Sequence, residues 1–140
     1  MAVMGIDTVA IVVADRRKAI AWYRDLLGFE VAYIGPNEPN AASGEGTPHN
    51  PGHWIELGPV RPRTRVHICE TEGKVAPGPT GITFVTSDIH TDYERMLSKG
   101  VKFLYPPKLM DWGEWLCEFE DPDGNQFDLK QPIDPGPWIS

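Results

Sequence analysis

The stretch EWLCEFEDPDGNQFDLKQP, residues 114–132, decides the fold. Its centre, Asp121-Pro122-Asp123-Gly124-Asn125, concentrates turn chemistry. Proline fixes its own φ, glycine permits positive φ, and Asp and Asn side chains bond back to their own backbone. The residues on both sides alternate. Trp115, Cys117 and Phe119 are separated by Leu116 and Glu118; Phe127 and Leu129 are separated by Asp128. Period-two alternation on either side of a turn reads as a β-hairpin with one apolar face. The opposite face carries Gln126, Asp128 and Lys130, and Glu118 joins it if Phe119 pairs with Phe127. A carboxylate in mid-strand, as at Asp128, needs solvent or a site.

Upstream of the hairpin the pattern is strand, helix, strand. Residues 81–86 read as a strand. Asp88 caps a helix that reaches about Ser98, and Gly100 stops it. Residues 101–105 form the next strand, and Pro106-Pro107 is expected to end it. The first half of the chain repeats this order. Residues 6–13 are rich in β-branched residues, Asp15 caps a helix to Leu27, Gly28 stops it, and residues 29–34 alternate again. Ala19, Ile20, Trp22, Tyr23, Leu26 and Leu27 form its apolar stripe. Residues 53–57 and 63–70 supply two more strands. Asp88 lies 73 residues after Asp15, and Gly100 lies 72 after Gly28. The chain therefore reads as α+β, a duplicated βαβββ module. Module one spans 5–71, a linker spans 72–79, module two spans 80–132, and 133–140 is a tail. One curved sheet cannot bury its own face, so two modules are expected to form a cup with the helices outside.

Composition narrows the function classes. A chain of 140 residues with 41% apolar residues suits one globular domain. A net charge of -7 and the absence of a Lys/Arg cluster argue against nucleic acid as a partner. No apolar run is long enough for a membrane span. The N-terminus lacks a basic start and a cleavage site, and Cys69 and Cys117 show neither metal spacing nor a disulfide framework, so a cytoplasmic protein is expected. The stretch 35–52 is a long Pro-, Gly- and Asn-rich loop; His49, inside it, and His53, just after it, read as exposed residues or as parts of a lid.

Strand parity sorts the side chains. With the alternate apolar residues facing the helices, the cup receives Thr8, Ala10, Trp54, Glu56, Arg65, His67, Cys69, Gly81, Thr83, Gln126 and Asp128. Trp112 stands on the approach to the hairpin. Five tryptophans is a high count, and aromatics beside a few polar groups suit a pocket for a flat or partly apolar molecule. Trp138 in the tail is expected to pack rather than stay exposed. Glu56, His67 and Asp128 are the candidate acid–base set. A buried histidine among carboxylates is expected to have its cation favoured. The plainer readings are a hydrogen-bonded structural His67, a solvated Glu56 and a rim Asp128 paired with Lys130 or Arg65. Trp54, Arg65, Thr83, Trp112 and Glu118 are the candidate ligand contacts.

The duplicated pattern, AIAWYRDLLGFEV (19–31) and EFEDPDGNQFDLKQP (118–132) together resemble the vicinal oxygen chelate superfamily, which includes glyoxalase I, the fosfomycin and bleomycin resistance proteins and the extradiol dioxygenases. The resemblance covers residues 5–132. It implies a cup in which enzymatic members hold a divalent metal with one ligand from each of four strands. Carried over position by position, those ligands fall at Thr8, His67, Gly81 and Asp128. Both usual first-strand histidines are missing. A hydroxyl and a glycine offer a borderline divalent ion no useful anchor, so no metal and no other cofactor is expected. The expected function is small-molecule binding by a homodimer, as in the drug-sequestering members. The alternative is a metal-dependent lyase, isomerase or dioxygenase of the glyoxalase type.

Overall fold

The structure is a computed structural model and describes residues 2–3, 5–6, 8–34, 55–58, 64–70 and 76–134. Trp54, Trp138, His49, His53 and the loop 35–52 lie outside the described residues. The chain divides into two compact units, Met1–Val75 and Ala76–Ser140.

The units share one plan. Unit one contains β1 (Thr8–Val12), α1 (Arg16–Leu27), β2 (Glu30–Ile34), β3 (Ile55–Gly58) and β4 (Arg65–Cys69). Unit two contains β5 (Gly78–Val85), α2 (Ile89–Ser98), β6 (Lys102–Leu109), β7 (Trp115–Glu120) and β8 (Asn125–Gln131). Each sheet is open and four-stranded, in the orders β1-β4-β3-β2 and β5-β8-β7-β6. The first and last strands of each unit pair in parallel, and the other pairs are antiparallel. The fold class is therefore α+β with two βαβββ units.

Local chemistry explains where the helices begin and end. The Asp15 carboxylate accepts from Lys18 N at 3.1 Å, and the Asp88 carboxylate accepts from Thr91 N at 3.2 Å. Each satisfies an N–H that the first turn leaves without a helical partner. Gly28 closes α1 at φ 71, and its N–H donates to Arg24 O. The apolar stripe of α1 is buried at Ala19, Ile20 and Tyr23, whereas Trp22 is only half-buried.

The duplication extends to single hydrogen bonds. Val13 N donates to Cys69 O at 2.9 Å, and 73 residues later Thr86 N donates to Lys130 O at 2.9 Å. Arg16 N donates to Glu70 Oε1, and Ile89 N donates to Gln131 Oε1. The second strand of each unit carries a register shift at the same place, between Val31 and Tyr33 and between Phe103 and Tyr105. Such a bulge turns the following side chain to the other face.

In unit two the helix-side face is aromatic. Phe119 and Phe127 stand opposite each other across the hairpin with ring centroids 5.7 Å apart, the register expected from the alternation. Phe84 lies 5.1 Å from Phe127, Phe103 lies 5.7 Å from Phe119, and Tyr93 of α2 meets Phe103 edge-on at 4.6 Å. Side chains of this size dominate the energetics of a small core. In unit one Ile11, Leu57, Val66 and Ile68 take the equivalent places. The turn between β7 and β8 is fixed by Asp121, which is 4% exposed and accepts from Asp123 N, Asn125 N and Asn125 Nδ2, each at 2.9 Å.

Two strand boundaries differ from those expected. β6 does not end at Pro106-Pro107 but continues to Leu109. It is an edge strand, and its ladder is interrupted between Tyr105 and Lys108, where the prolines need donate nothing. β5 begins at Gly78 rather than Gly81. It too is an edge strand and admits Pro79, with an irregularity between Pro79 and Thr83 that Thr80 bridges by donating Oγ1 to Gln126 O at 2.8 Å. No helix among the described residues is long and apolar enough to cross a membrane.

Candidate functional site

The pleat and the pairing register place the polar candidates in two matching rows, each on the sheet face away from its helix. In unit one Ala10 stands beside His67, His67 beside Glu56, and Glu56 beside Tyr33. In unit two Thr83 stands beside Asp128, Asp128 beside Glu118, and Glu118 beside Tyr105. Each position in one row has its equivalent in the other, so His67 and Asp128 are counterparts, as are Glu56 and Glu118. The alternation of β4 supports the assignment of faces: Val66 and Ile68 are buried, while Arg65, His67 and Cys69 are partly exposed.

The structure thus groups Glu56, Arg65 and His67 on unit one, and Thr83, Glu118 and Asp128 on unit two. Trp112 belongs to neither row. It stands in the turn between β6 and β7, 59% exposed, and its indole N–H donates to Glu114 Oε1 at 3.0 Å. Trp54 lies outside the described residues.

The two rows differ in charge. On unit one Glu56 is 7% exposed, and its Oε1 lies 3.5 Å from Arg65 Nη1. The expectation that the His67 cation is favoured is corrected. Burial disfavours the charged imidazole most, the Arg16 guanidinium adds to this, and Glu56 opposes both without prevailing. His67 is held below the ordinary histidine range, and its neutral form is the favoured one. Burial also pushes the Cys69 thiol up, against the pull of Arg16.

On unit two the carboxylates of Glu118 and Asp128 face each other across β7 and β8. Neither forms a hydrogen bond or ion pair with another described residue. The cations expected to pair with Asp128 are engaged elsewhere, Lys130 Nζ at 3.6 Å from Glu114 and Arg65 with Glu56. Like charges directly opposite in a sheet are mildly destabilising. Tyr105 feels them: burial raises its phenol, and Asp128, Glu118 and Cys117 raise it further. Cys117, fully buried, is pushed up to about 12 by burial and then by Asp128 and Asp92.

Sequence reasoning missed Arg16, Tyr105 and Tyr33. The bulges hid the tyrosines, because a two-residue period carried through Phe103 assigns Tyr105 to the helix side. The signal that finds them is the repeat, since Tyr105 lies 72 residues after Tyr33. The same comparison sets Arg16 against Ile89. The four positions at which a family metal would be held present a hydroxyl, an imidazole, no side chain and a carboxylate, at Thr8, His67, Gly81 and Asp128. That donor set does not fit a four-ligand divalent ion.

Comparison with known proteins agrees with this architecture. A family model described as Glyoxalase/Bleomycin resistance protein/Dioxygenase superfamily matches residues 5–129. The uncharacterized protein YetH of Bacillus subtilis (strain 168) is 34% identical over 128 residues, which cover 90% of this chain and 97% of YetH. A solved member of the superfamily from Sphaerobacter thermophilus DSM 20745 superposes with a TM-score of 0.77 at 30% identity, covering 93% of this chain and 98% of that one. TnmS3, an antibiotic binding protein from Streptomyces sp. CB03234, gives a TM-score of 0.74 at 28% identity, covering 94% of this chain and 98% of TnmS3.

Proposed function

Because the chain belongs to the Glyoxalase/Bleomycin resistance protein/Dioxygenase superfamily, we propose that it is a small-molecule-binding protein that works without the superfamily's usual divalent metal. The observation that carries this reading is the row Thr83–Asp128–Glu118–Tyr105. It sets two carboxylates and a phenol on the sheet face away from the helix, with no ion pair from the described residues to satisfy them. Polar groups arranged so in a sheet face suit the orientation of a bound molecule. The poor donor set at Thr8 and Gly81 supports the metal-free form. The likeness to TnmS3, a protein that binds an antibiotic, supports the ligand class, a partly apolar molecule of drug size.

Arg65, Glu56 and His67 serve in this reading as the polar contacts of unit one, with Trp54 and Trp112 as aromatic contacts. The protein acts as a homodimer in the cytoplasm, where its cysteines stay reduced. A second reading is an enzyme of the lyase, isomerase or dioxygenase type. One observation favours it: a neutral His67 beside Glu56 has the form of a general base.

A thermal-shift screen separates the two. Small aromatic and oxyacid ligands and divalent metals are tested on the wild type and on E118Q and D128N, since a ligand that binds only the folded form raises the melting temperature. Stabilisation by an aromatic molecule, weakened in both variants and indifferent to metals, supports binding. Strong stabilisation by a divalent metal alone rejects the metal-free reading.

A further inference from the structure

Arg16 opens α1 and is 3% exposed. Nothing in the fold requires an arginine there. The same position in unit two is Ile89, also buried, and both backbone N–H groups are held alike, Arg16 N by Glu70 Oε1 at 3.0 Å and Ile89 N by Gln131 Oε1 at 2.8 Å. An apolar side chain and a neutral amide therefore complete this corner of a βαβββ unit. Unit one instead places a guanidinium and a carboxylate there, Nε 4.0 Å from Oε1. Both choices are costly. A cation at a helix N-terminus opposes the positive end of the dipole, and a buried ion pair seldom recovers more than its own desolvation. A cost borne by one unit and absent from its duplicate points to a role other than folding.

The corner adjoins the end of β4. Glu70 follows Cys69 in the chain, and the Val13 N–H just before α1 is bound by Cys69 O. The Arg16 charge acts on two residues of β4, His67 and Cys69, both on the face away from the helix. The remaining charged and titratable groups about His67 are Glu56 on β3 and Arg65 and Cys69 on its own strand. β1, its other neighbour, brings Thr8, Ala10 and Val12 to that face and no titratable group. Arg65 already engages Glu56, the anion that would otherwise offset Arg16 at the imidazole.

We propose that Arg16 is a positioning residue: from its buried corner it keeps His67 an uncharged imidazole on the face of unit one. A neutral imidazole accepts at one ring nitrogen and donates at the other, so the group it suits is a ligand hydroxyl or a similar donor rather than an anion. This rests on reading that face as the ligand side, but its test needs no ligand. A failure to bind any small molecule would therefore sink the function and leave the inference standing.

The experiment is an NMR titration of the ligand-free protein through the acid and neutral range, with the His67 signal identified by its loss in H67Q. Arg16→Ile combined with Glu70→Gln reproduces the corner of unit two, and Arg16→Lys preserves the charge. The inference expects the His67 midpoint to rise in the double variant and to stay at the wild-type value in Arg16→Lys. A folded double variant with an unmoved midpoint overturns it. If the double variant fails to fold, Arg16→Met, which leaves the Glu70 cap in place, is read the same way. A wild-type midpoint at or above that of an unperturbed histidine overturns it irrespective of any variant.

Discussion

Replacing Asp121 by alanine tests the reasoning on which the fold assignment rests. Its carboxylate accepts three hydrogen bonds, from Asp123 N, Asn125 N and Asn125 Nδ2, all at 2.9 Å. Two of these donors belong to Asn125, which is itself buried. In D121A the Asp123 N–H can turn to water, but the two Asn125 donors lose their acceptor where water does not easily follow. A buried donor left unsatisfied costs about 1–3 kcal/mol, so the pair amounts to roughly 3–4 kcal/mol after partial relaxation. For a domain of this size each kcal/mol lowers the melting temperature by about 2–4 °C, which gives a fall on the order of 10 °C. The assay is thermal unfolding followed by circular dichroism, with urea unfolding as the second measure. D111A, an exposed turn carboxylate, is the control and should stay within about 0.5 kcal/mol of wild type. If D121A lost less than about 1 kcal/mol, no more than a bond or so of the ordinary kind, the buried-turn account would be wrong.

Three further outcomes follow from the same physical terms. Gly28 and Gly124 both have left-handed φ, 71° and 83°, but a Cβ at Gly28 meets nothing within 4 Å, whereas one at Gly124 lies 2.8 Å from Pro77 Cβ. G28A should cost about 1 kcal/mol for backbone strain alone, and G124A roughly 2–4 kcal/mol because overpacking is added; equal losses in urea unfolding would contradict the geometry. Cys117 is pushed up to about 12 from a usual value of 9.0, so the unfolded chain gives up that proton first and stability should fall as the pH rises from about 9 toward 12. C117V should flatten that alkaline limb in pH-dependent unfolding, and an unchanged slope would remove Cys117 as its cause. His67 is shifted downward, so the unfolded chain takes up its proton first and this contribution to stability is lost as the pH falls below the usual histidine value. H67Q should reduce the acid limb, and a limb that remains intact would assign it to other groups.

How much of this was legible in the sequence depended on the range of the forces involved. The hairpin was legible because its determinants are local: Asp121 to Asn125 make the turn, and Phe119 and Phe127 set the register by alternation. The helices were legible from Asp15, Asp88 and Gly28, whose capping is decided within a turn of helix. The duplication was legible because the repeat offsets are nearly constant, and it placed His67 and Asp128 correctly on their faces. The edge strands were less so. Pro79, Pro106 and Pro107 argue against a strand unless its outer side needs no partner, and that depends on strand order, which no local pattern carries. Tyr105 was hidden by a one-residue bulge that reverses the faces of β6. Arg16 was hidden by its charge, because an arginine at the start of a helix ordinarily reads as solvated. The shift of His67 was misjudged for the same reason, since the burial and the guanidinium that outweigh Glu56 are tertiary features.

The central claim is that this member of the superfamily binds a small molecule without the usual divalent metal. The measurement that tests it most directly is elemental analysis of the protein purified without added ions or chelators. The account predicts far less than stoichiometric zinc, nickel, manganese and iron. A full equivalent of any one of them, retained through gel filtration, would contradict it and return the imidazole of His67 and the carboxylate of Asp128 to a metal centre.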